Sequence, residues 1–378
     1  MLIKEETIQA IKDRTDIADI IMQFVKLKKH GANLIGLCPF HNEKSGSFTV
    51  SPQRQIYKCF GCGRSGDAIS FIQEHDKKTY PEAIEWLGSY YNIAIELQEE
   101  EPGAKEKREA VKNQKELLIN ALQLAQDKYT DALLKNTTAL TYLHERGITD
   151  EVMQFWGIGY APDEWQFISH DIINRNLYQP GIDAGIIKTK DGKTYDFLRN
   201  RITIPIHDAA GNLVALAGRW LPTGDTAKDD AHAKYLNTCE SIAYKKSEVL
   251  FGMYQALQAK AFKKENCAFL TEGYFDVISM HEAGAQNTVA PCNSMMTDAQ
   301  LKLLQRHTDH FIFLIEDEAS QTAVSKSINE CLRNRIAVEI ISLYKKEKKD
   351  GKEKTIKCDA DEYARQWQAG LPLAPTDE

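Results

Sequence analysis

The chain has 378 residues, 43% of them hydrophobic and 27% charged, which fits a soluble protein of two or three domains and excludes a disordered one. No run approaches the roughly 18 apolar residues that span a bilayer, and the charged start lacks a signal-peptide core, so no membrane partner and a cytoplasmic location are expected. Eight cysteines are too few for a disulfide scaffold, and a net charge of −7 argues, taken alone, against a nucleic-acid binder.

Residues 1–30 read as a helix, with Ile8, Ile11, Ile17, Ile20, Ile21 and Phe24 on one apolar face. From Leu34 to Gly66, glycines, cysteines and short alternating runs predict a small β-rich unit. Helical spacing returns over 67–93, which closes a first domain at 1–98. The charged stretch 99–115 is the domain boundary, either a linker or the solvated start of a helix. Residues 116–145 look helical; Gly147 ends that helix and Thr149 caps the next. Ile202–Ile206 and Leu213–Leu216, joined by the turn Asp208–Gly211, predict a hairpin. From 249 onward, helices (249–264, 274–284, 297–306, 319–333) alternate with strands (267–271, 287–290, 311–315, 336–343). That alternation implies parallel pairing under covering helices, so the expected class is α+β and α/β in several domains. The later part divides into 116–255 and 256–372.

Cys38-Pro39-Phe40-His41 and Cys59-Phe60-Gly61-Cys62 are paired knuckles separated by 17 residues, 42–58. Zinc takes four tetrahedral S/N ligands, and two such knuckles supply them. Four protein ligands leave no open position, so Cys38, His41, Cys59 and Cys62 predict a structural Zn²⁺ site. Lys44, Arg54, Lys58 and Arg64 are interleaved with Phe48, Tyr57 and Phe60. Cations with exposed aromatics suit single-stranded nucleic acid; the alternative packs the rings into the small core.

These knuckles, extended by Tyr57-Lys58 before and Gly63 after, resemble the zinc-binding domain of bacterial replicative primases of the DnaG type. The resemblance continues through Gly157–Pro162, Phe197-Leu198-Arg199-Asn200-Arg201-Ile202, Gly218-Arg219, Lys234-Tyr235-Leu236-Asn237 and Lys246…Leu250-Phe251-Gly252. It covers about residues 1 to 367. The family continues into a helicase-binding region, so the chain is either a piece of a longer protein or a naturally short, mobile-element form.

The resemblance implies a zinc-ribbon domain followed by a catalytic domain containing a TOPRIM fold. Thr271–Val277 resembles its E-G-Y-x-D motif, which assigns Glu272 to acid/base or metal chemistry. The second acidic motif departs from the family's D-x-D-x-A-G-x-x-A. One register equates its aspartates with Glu316 and Glu318; the other leaves Ile315 and Asp317 there. Asp359-Ala360-Asp361-Glu362 resembles the family's D-P-D-E, the alternative for Asp359 and Asp361 being a helix cap. Glu272, Asp317, Asp359 and Asp361 are thus the expected ligands of Mg²⁺ or Mn²⁺. Asn293-Ser294 stand where the family has G-T.

The implied activity is that of a DNA primase, which makes short RNA primers on single-stranded DNA by two-metal nucleotidyl transfer. Arg199, Arg201, Arg219, Lys234 and Lys246 would meet template or nucleotide phosphates, with Asn200, Tyr235 and Asn237 from the same motifs. Arg199 and Arg201, two apart, would share one face of a strand. Ribonucleoside triphosphates, a template and a replicative helicase are the implied partners of a monomer. Two rivals remain: a weakened homologue serving as a DNA-binding accessory, and a TOPRIM nuclease or topoisomerase. The lysine-rich run Tyr344–Lys357 reads as a solvated, disordered insertion, or else as a basic loop touching nucleic acid. Cys239, Cys267, Cys292, Cys331 and Cys358 lack metal spacing and read as core or incidental thiols.

Overall fold

Two short helices stand where one was expected at the start. Helix α1 (Glu5–Arg14) stops where Thr15 turns extended, and Asp16 caps α2 (Ile17–Met22) by accepting from the Ala18 and Asp19 amides. The chain then builds an antiparallel sheet in sequential order from β1 (Lys28–His30), β2 (Asn33–Gly36), β3 (Phe48–Ser51), β4 (Ile56–Cys59) and β5 (Ser65–Gly66). Asp67 caps α3 (Ala68–His75), and a Thr79/Glu82 capping box starts α4 (Tyr80–Tyr90). Ile3 pairs with Leu97, which ties the first strand-like residue to the segment leaving this fold. Phe48, Tyr57 and Phe71 are fully buried and pack with Ile11, Ile17 and Ile20. Phe48 and Tyr57 therefore form core rather than a base-stacking surface.

The computed structural model describes residues 3–98, 103–293, 295–315, 318–334, 336–349 and 352–368. The chain divides into two compact units, Met1–Lys107 and Arg108–Glu378. The boundary falls inside α5 (Ala104–Leu133), which takes up most of the charged stretch 99–115 with an exposed first half.

In the second unit, Asn136 caps α6 (Thr137–Glu145) and Thr149 caps α7 (Asp150–Trp156). After β6 (Gly159–Ala161), two short helices, α8 (Ser169–Asn174) and α9 (Tyr178–Asp183), lead to the hairpin of β7 (Ile187–Lys190) and β8 (Lys193–Asp196). The expected hairpin is present as β9 (Arg201–His207) and β10 (Leu213–Trp220). Following α10 (Thr226–Asp230), β11 (Tyr235–Asn237) completes an antiparallel sheet of order β11-β10-β9-β6. Trp156, Ile202, Ile204, Ile206 and Phe251 fill one core cluster with Phe275 and Val277 from farther along the chain.

The helix expected over 249–264 is broken. Leu250 and Phe251 form β12, Gly252 turns left-handed at φ +81°, and α11 (Met253–Gln258) and α12 (Ala261–Glu265) are separated by Lys260 at φ +53°. Then come β13 (Ala268–Leu270), α13 (Tyr274–Glu282), β14 (Thr288–Pro291), α14 (Asp298–Gln305), β15 (His310–Ile315), α15 (Glu318–Arg333) and β16 (Ala337–Ser342). The sheet order is β12-β14-β13-β15-β16, with β12 antiparallel and the other pairs parallel. Four strands thus end at one edge, the place where open parallel sheets present their chemistry. The lysine-rich run is an antiparallel hairpin, β17 (Tyr344–Lys349) with β18 (Lys352–Lys357), rather than a disordered insertion. The Cys358 N–H donates to the Leu343 carbonyl at 3.1 Å and closes its base before α16 (Ala360–Gln368).

Candidate metal centres and nucleic-acid interface

In the first unit, β2 delivers Cys38 and β4 delivers Cys59, and the donor atoms of Cys38, His41, Cys59 and Cys62 all lie within 4.8 Å of one another. Cys38 Sγ and Cys62 Sγ are 3.8 Å apart, as are Cys59 Sγ and His41 Nδ1. Tetrahedral Zn–S bonds of about 2.3 Å and Zn–N bonds of about 2.0 Å require ligand separations near these. Glu43 organises the loop: its carboxylate accepts from Cys38 N–H at 2.8 Å and Ser47 N–H at 3.0 Å. Ser47 hydrogen bonds hold that carboxyl below its usual range. His41 Nε2 lies 3.3 Å from Glu43, so a histidine ligating through Nδ1 has a carboxylate to receive its other N–H. A Cβ at Gly61 would stand 2.7 Å from His41 Nε2 and 2.8 Å from Ser47 Oγ, so the turn tolerates glycine alone. Burial pushes the Cys38 thiol up to about 12. It also raises Cys59, but bonds from Ser47 Oγ and the Cys62 and Gly61 amides outweigh it and bring that thiol to about 7. The donor set fits zinc with no position left open. Nearby, Phe60 is 69% exposed with Lys58 Nζ 5.3 Å from its ring.

In the second unit, the turn from β13 to α13 leaves Glu272 exposed. Asp276, in the first turn of α13, is buried and accepts from the Gly273 and Asp361 amides. Burial, then the charges of Asp359 and Asp361, push Asp276 up to about 7. Asp359 caps α16, accepting from the Glu362 amide at 2.7 Å. Asp361 is fully buried; Ser279 Oγ donates to its Oδ1 at 2.6 Å, and Arg365, at 3.3 Å, and Arg146 both donate to its Oδ2. Buried Asp276 and Asp361 and half-buried Asp359 thus share one corner, and among the described residues the ion pairs there all go to Asp361. Among the described residues only the Cys38/His41/Cys59/Cys62 group brings three or more ligand atoms within 4.8 Å of one another, so this corner is acidic without being an assembled metal cage.

Cations on an aromatic floor adjoin this corner. Phe275 lies under both Arg146, 5.1 Å from its centroid, and Arg219, 5.3 Å away. Arg219 Nε donates to Tyr142 OH at 2.6 Å and its Nη1 to Tyr235 OH at 2.8 Å. Asn237 Nδ2 donates to Tyr274 OH at 2.7 Å, which ties β11 to α13. Lys234 is exposed, and Lys246 is half-buried with its charge felt by the Cys292 thiol.

Other expected contacts are spoken for. Asn200 sits at φ +47°, just before β9, so Arg199 lies outside the strand and does not share a strand face with Arg201. Asn200 is buried between Tyr160 OH and the Leu221 carbonyl. Arg201 is buried, donating to the Gly218 and Ala233 carbonyls at 2.9 Å each, and burial lowers it to about 10. Arg199 stacks 3.9 Å from the Trp165 ring. Both arginines still line a cleft of about 100 Å³ with Trp220, Lys228 and His232.

Family comparisons agree with this division. A "CHC2 zinc finger" profile matches residues 3–103, a "DNA primase catalytic core, N-terminal domain" profile matches 128–257, and a "Toprim-like" profile matches 269–354. The chain is 36% identical over 324 residues to a DNA primase of Halalkalibacterium halodurans, covering 84% of this chain and 52% of that protein. It is 33% identical over 378 residues to a DNA primase of Enterococcus faecalis, covering 97% and 57%. The zinc-binding and RNA polymerase domains of Aquifex aeolicus primase superpose with TM-score 0.57 at 30% identity, covering 95% of this chain and 82% of that one. The chain belongs to the DnaG-type primase family. It spans about half the length of the curated primases it matches. A solved DnaG primase catalytic domain bound to ssDNA is similar too, at 27% identity and TM-score 0.55 over 68% of this chain and 78% of that one.

Membership in the primase family orders the remaining assignments. Glu316 and Asp317 lie outside the described residues, and Glu318 opens α15 at the same sheet edge as Glu272. The sequence reading did not assign Asp276, although it closes the quoted E-G-Y-F-D run and lies one helical turn beyond Glu272. It also passed over Arg146 and Tyr142. Nothing in their local pattern marks them, because only the folded chain brings Arg146 to Asp361 and Tyr142 to Arg219. Among the described residues no helix is long and apolar enough to cross a membrane.

Proposed function

We propose that this chain is a DNA primase, a DNA-dependent RNA polymerase that lays short RNA primers on single-stranded DNA for replication. The observation that carries the reading is the juxtaposition of the Asp276/Asp359/Asp361 corner with the Arg146–Phe275–Arg219 stack in one TOPRIM-containing unit. A polymerase must bring two polyanions together, and it needs carboxylates for cations beside arginines for phosphates.

Glu272, Asp276 and Asp359 would hold magnesium or manganese, with the second acidic motif completing the set. A divalent ion held there would supply Lewis-acid stabilisation of the charge that develops in nucleotidyl transfer. Tyr142 and Tyr235 fix the Arg219 guanidinium in a low-dielectric niche, where it meets a phosphate without reorganising. Lys234 and Lys246 extend the cationic face toward template and ribonucleoside triphosphate. Arg199 on Trp165 offers a cation and a ring together, as single strands require. Asn200 and Arg201 act indirectly, locking the loop that carries Arg199. The zinc unit would contribute to template recognition. A replicative helicase partner, a cytoplasmic location and work as a monomer belong to the same proposal.

The test is primer synthesis on single-stranded template with ribonucleotides and Mg²⁺ or Mn²⁺. Glu272→Gln should abolish synthesis while DNA affinity changes less than about threefold; unchanged synthesis refutes the assignment. A DNA-binding accessory is the second reading. Pairing of Asp361 with both Arg146 and Arg365 favours it, because a neutralised carboxylate recruits a metal poorly. DNA binding without primers under either metal would establish that reading instead.

A further inference from the structure

The β17–β18 hairpin springs from the edge strand of the parallel sheet, at the end where Glu272 and the start of α15 stand. Its base is pinned by Leu343 and Cys358, both buried, and Asp359 follows at once. Its twelve paired positions hold seven lysines and two glutamates, in a chain whose net charge is −7. Register places Glu347 opposite Lys354 and Glu353 opposite Lys348. The other five lysines have no carboxylate opposite them: Lys345, Lys346, Lys349, Lys352 and Lys357.

We propose that this hairpin is a sequence-independent clamp on the phosphate backbone of the duplex leaving the polymerase site. The inference rests on the primase reading for the identity of that duplex. Two arguments select a duplex over the unpaired template. The ribbon's one aromatic residue, Tyr344, stands at its base, and non-specific single-strand binding depends on rows of rings for base stacking. A duplex hides its bases and presents one charge per about 1.7 Å, so the roughly 20 Å of a six-residue strand runs beside about twelve phosphates. Lysines, as compact mobile charges, suit such unspecific contact.

The test replaces Lys345, Lys346, Lys349 and Lys352 together in the full chain, once by Gln and once by Arg. Fluorescence anisotropy follows binding to an RNA–DNA hybrid and to a single strand of equal length between 50 and 300 mM salt. With Gln, hybrid affinity should fall about 10- to 100-fold at 0.1 M salt. The slope of log K against log salt should lose about 2 to 4 units, and single-strand affinity should change less than threefold. The Arg version should bind as wild type does, which separates charge from misfolding. Equal losses on both ligands, or none on the hybrid, overturn the clamp. Binding is read without synthesis. A wild type that makes no primer yet holds the hybrid through these lysines would therefore sink the polymerase reading and leave the phosphate-binding hairpin standing.

Discussion

Asp276→Asn removes a carboxylate that folding makes costly to ionise. In the folded chain its proton is held up to about pH 7, against an ordinary value near 4, because burial and the charges of Asp359 and Asp361 disfavour the anion. Below about pH 4 the group is protonated in both folded and unfolded chains and contributes nothing. Between about 4 and 7 the folded state binds the extra proton, so wild-type stability falls as pH rises, by up to about 1.4 kcal/mol per unit. Above 7 the loss is complete and flat. Three units set a ceiling of about 4 kcal/mol, which already includes acceptance from the Gly273 and Asp361 amides, and relaxation around the buried charge lowers the effect further. Without divalent cation at pH 8, the Asn variant should therefore exceed wild type by about 2–3 kcal/mol, and the difference should vanish at pH 4. Urea denaturation followed by tryptophan emission reads this, since Trp156, Trp165 and Trp220 all lie in the second unit. Adding millimolar Mg²⁺ or Mn²⁺ at pH 8 should restore the wild type and leave the variant unmoved. A variant less stable than wild type in metal-free buffer, or a gap independent of pH, would refute the reasoning.

Cys59→Ala should drop bound zinc from about one per chain to near zero by atomic spectroscopy and unfold the first unit, because a broken tetrahedron leaves buried thiols uncompensated; full zinc content would count against the site. Gly273→Ala places a methyl group against the Asp276 carboxylate. Since φ at 273 is an ordinary −117°, any loss reports crowding, and primer synthesis should fall at least tenfold with the fold intact by circular dichroism. Ser279→Ala strips Asp361 of a buried donor and should cost about 1.5–3 kcal/mol in urea melts; an unchanged midpoint would count against that bond.

The zinc ligands were legible because their meaning is local: each knuckle is one turn, and a hairpin of fixed length joins them. Thiolate and imidazole at that spacing have few other uses. The strand–helix alternation after 249 was legible for a similar reason, since apolar runs of strand length separated by helical spacing fold one way. The helix breaks at Thr15, Gly252 and Lys260 were not, because positive φ and tertiary caps override periodicity.

Sequence alone determined the zinc-binding module, the parallel sheet and Glu272 at a strand end. Tertiary structure alone decided which charges share a low-dielectric corner. It brought Asp276 against Asp359 and Asp361 and supplied Arg146 to Asp361 across 215 positions of chain. It buried Asn200 and Arg201 behind carbonyls and turned the lysine run into a ribbon at the sheet's edge. The net charge of −7 averages over all of this. Coulomb energy depends on separation and burial, and a sequence specifies neither until the chain has folded.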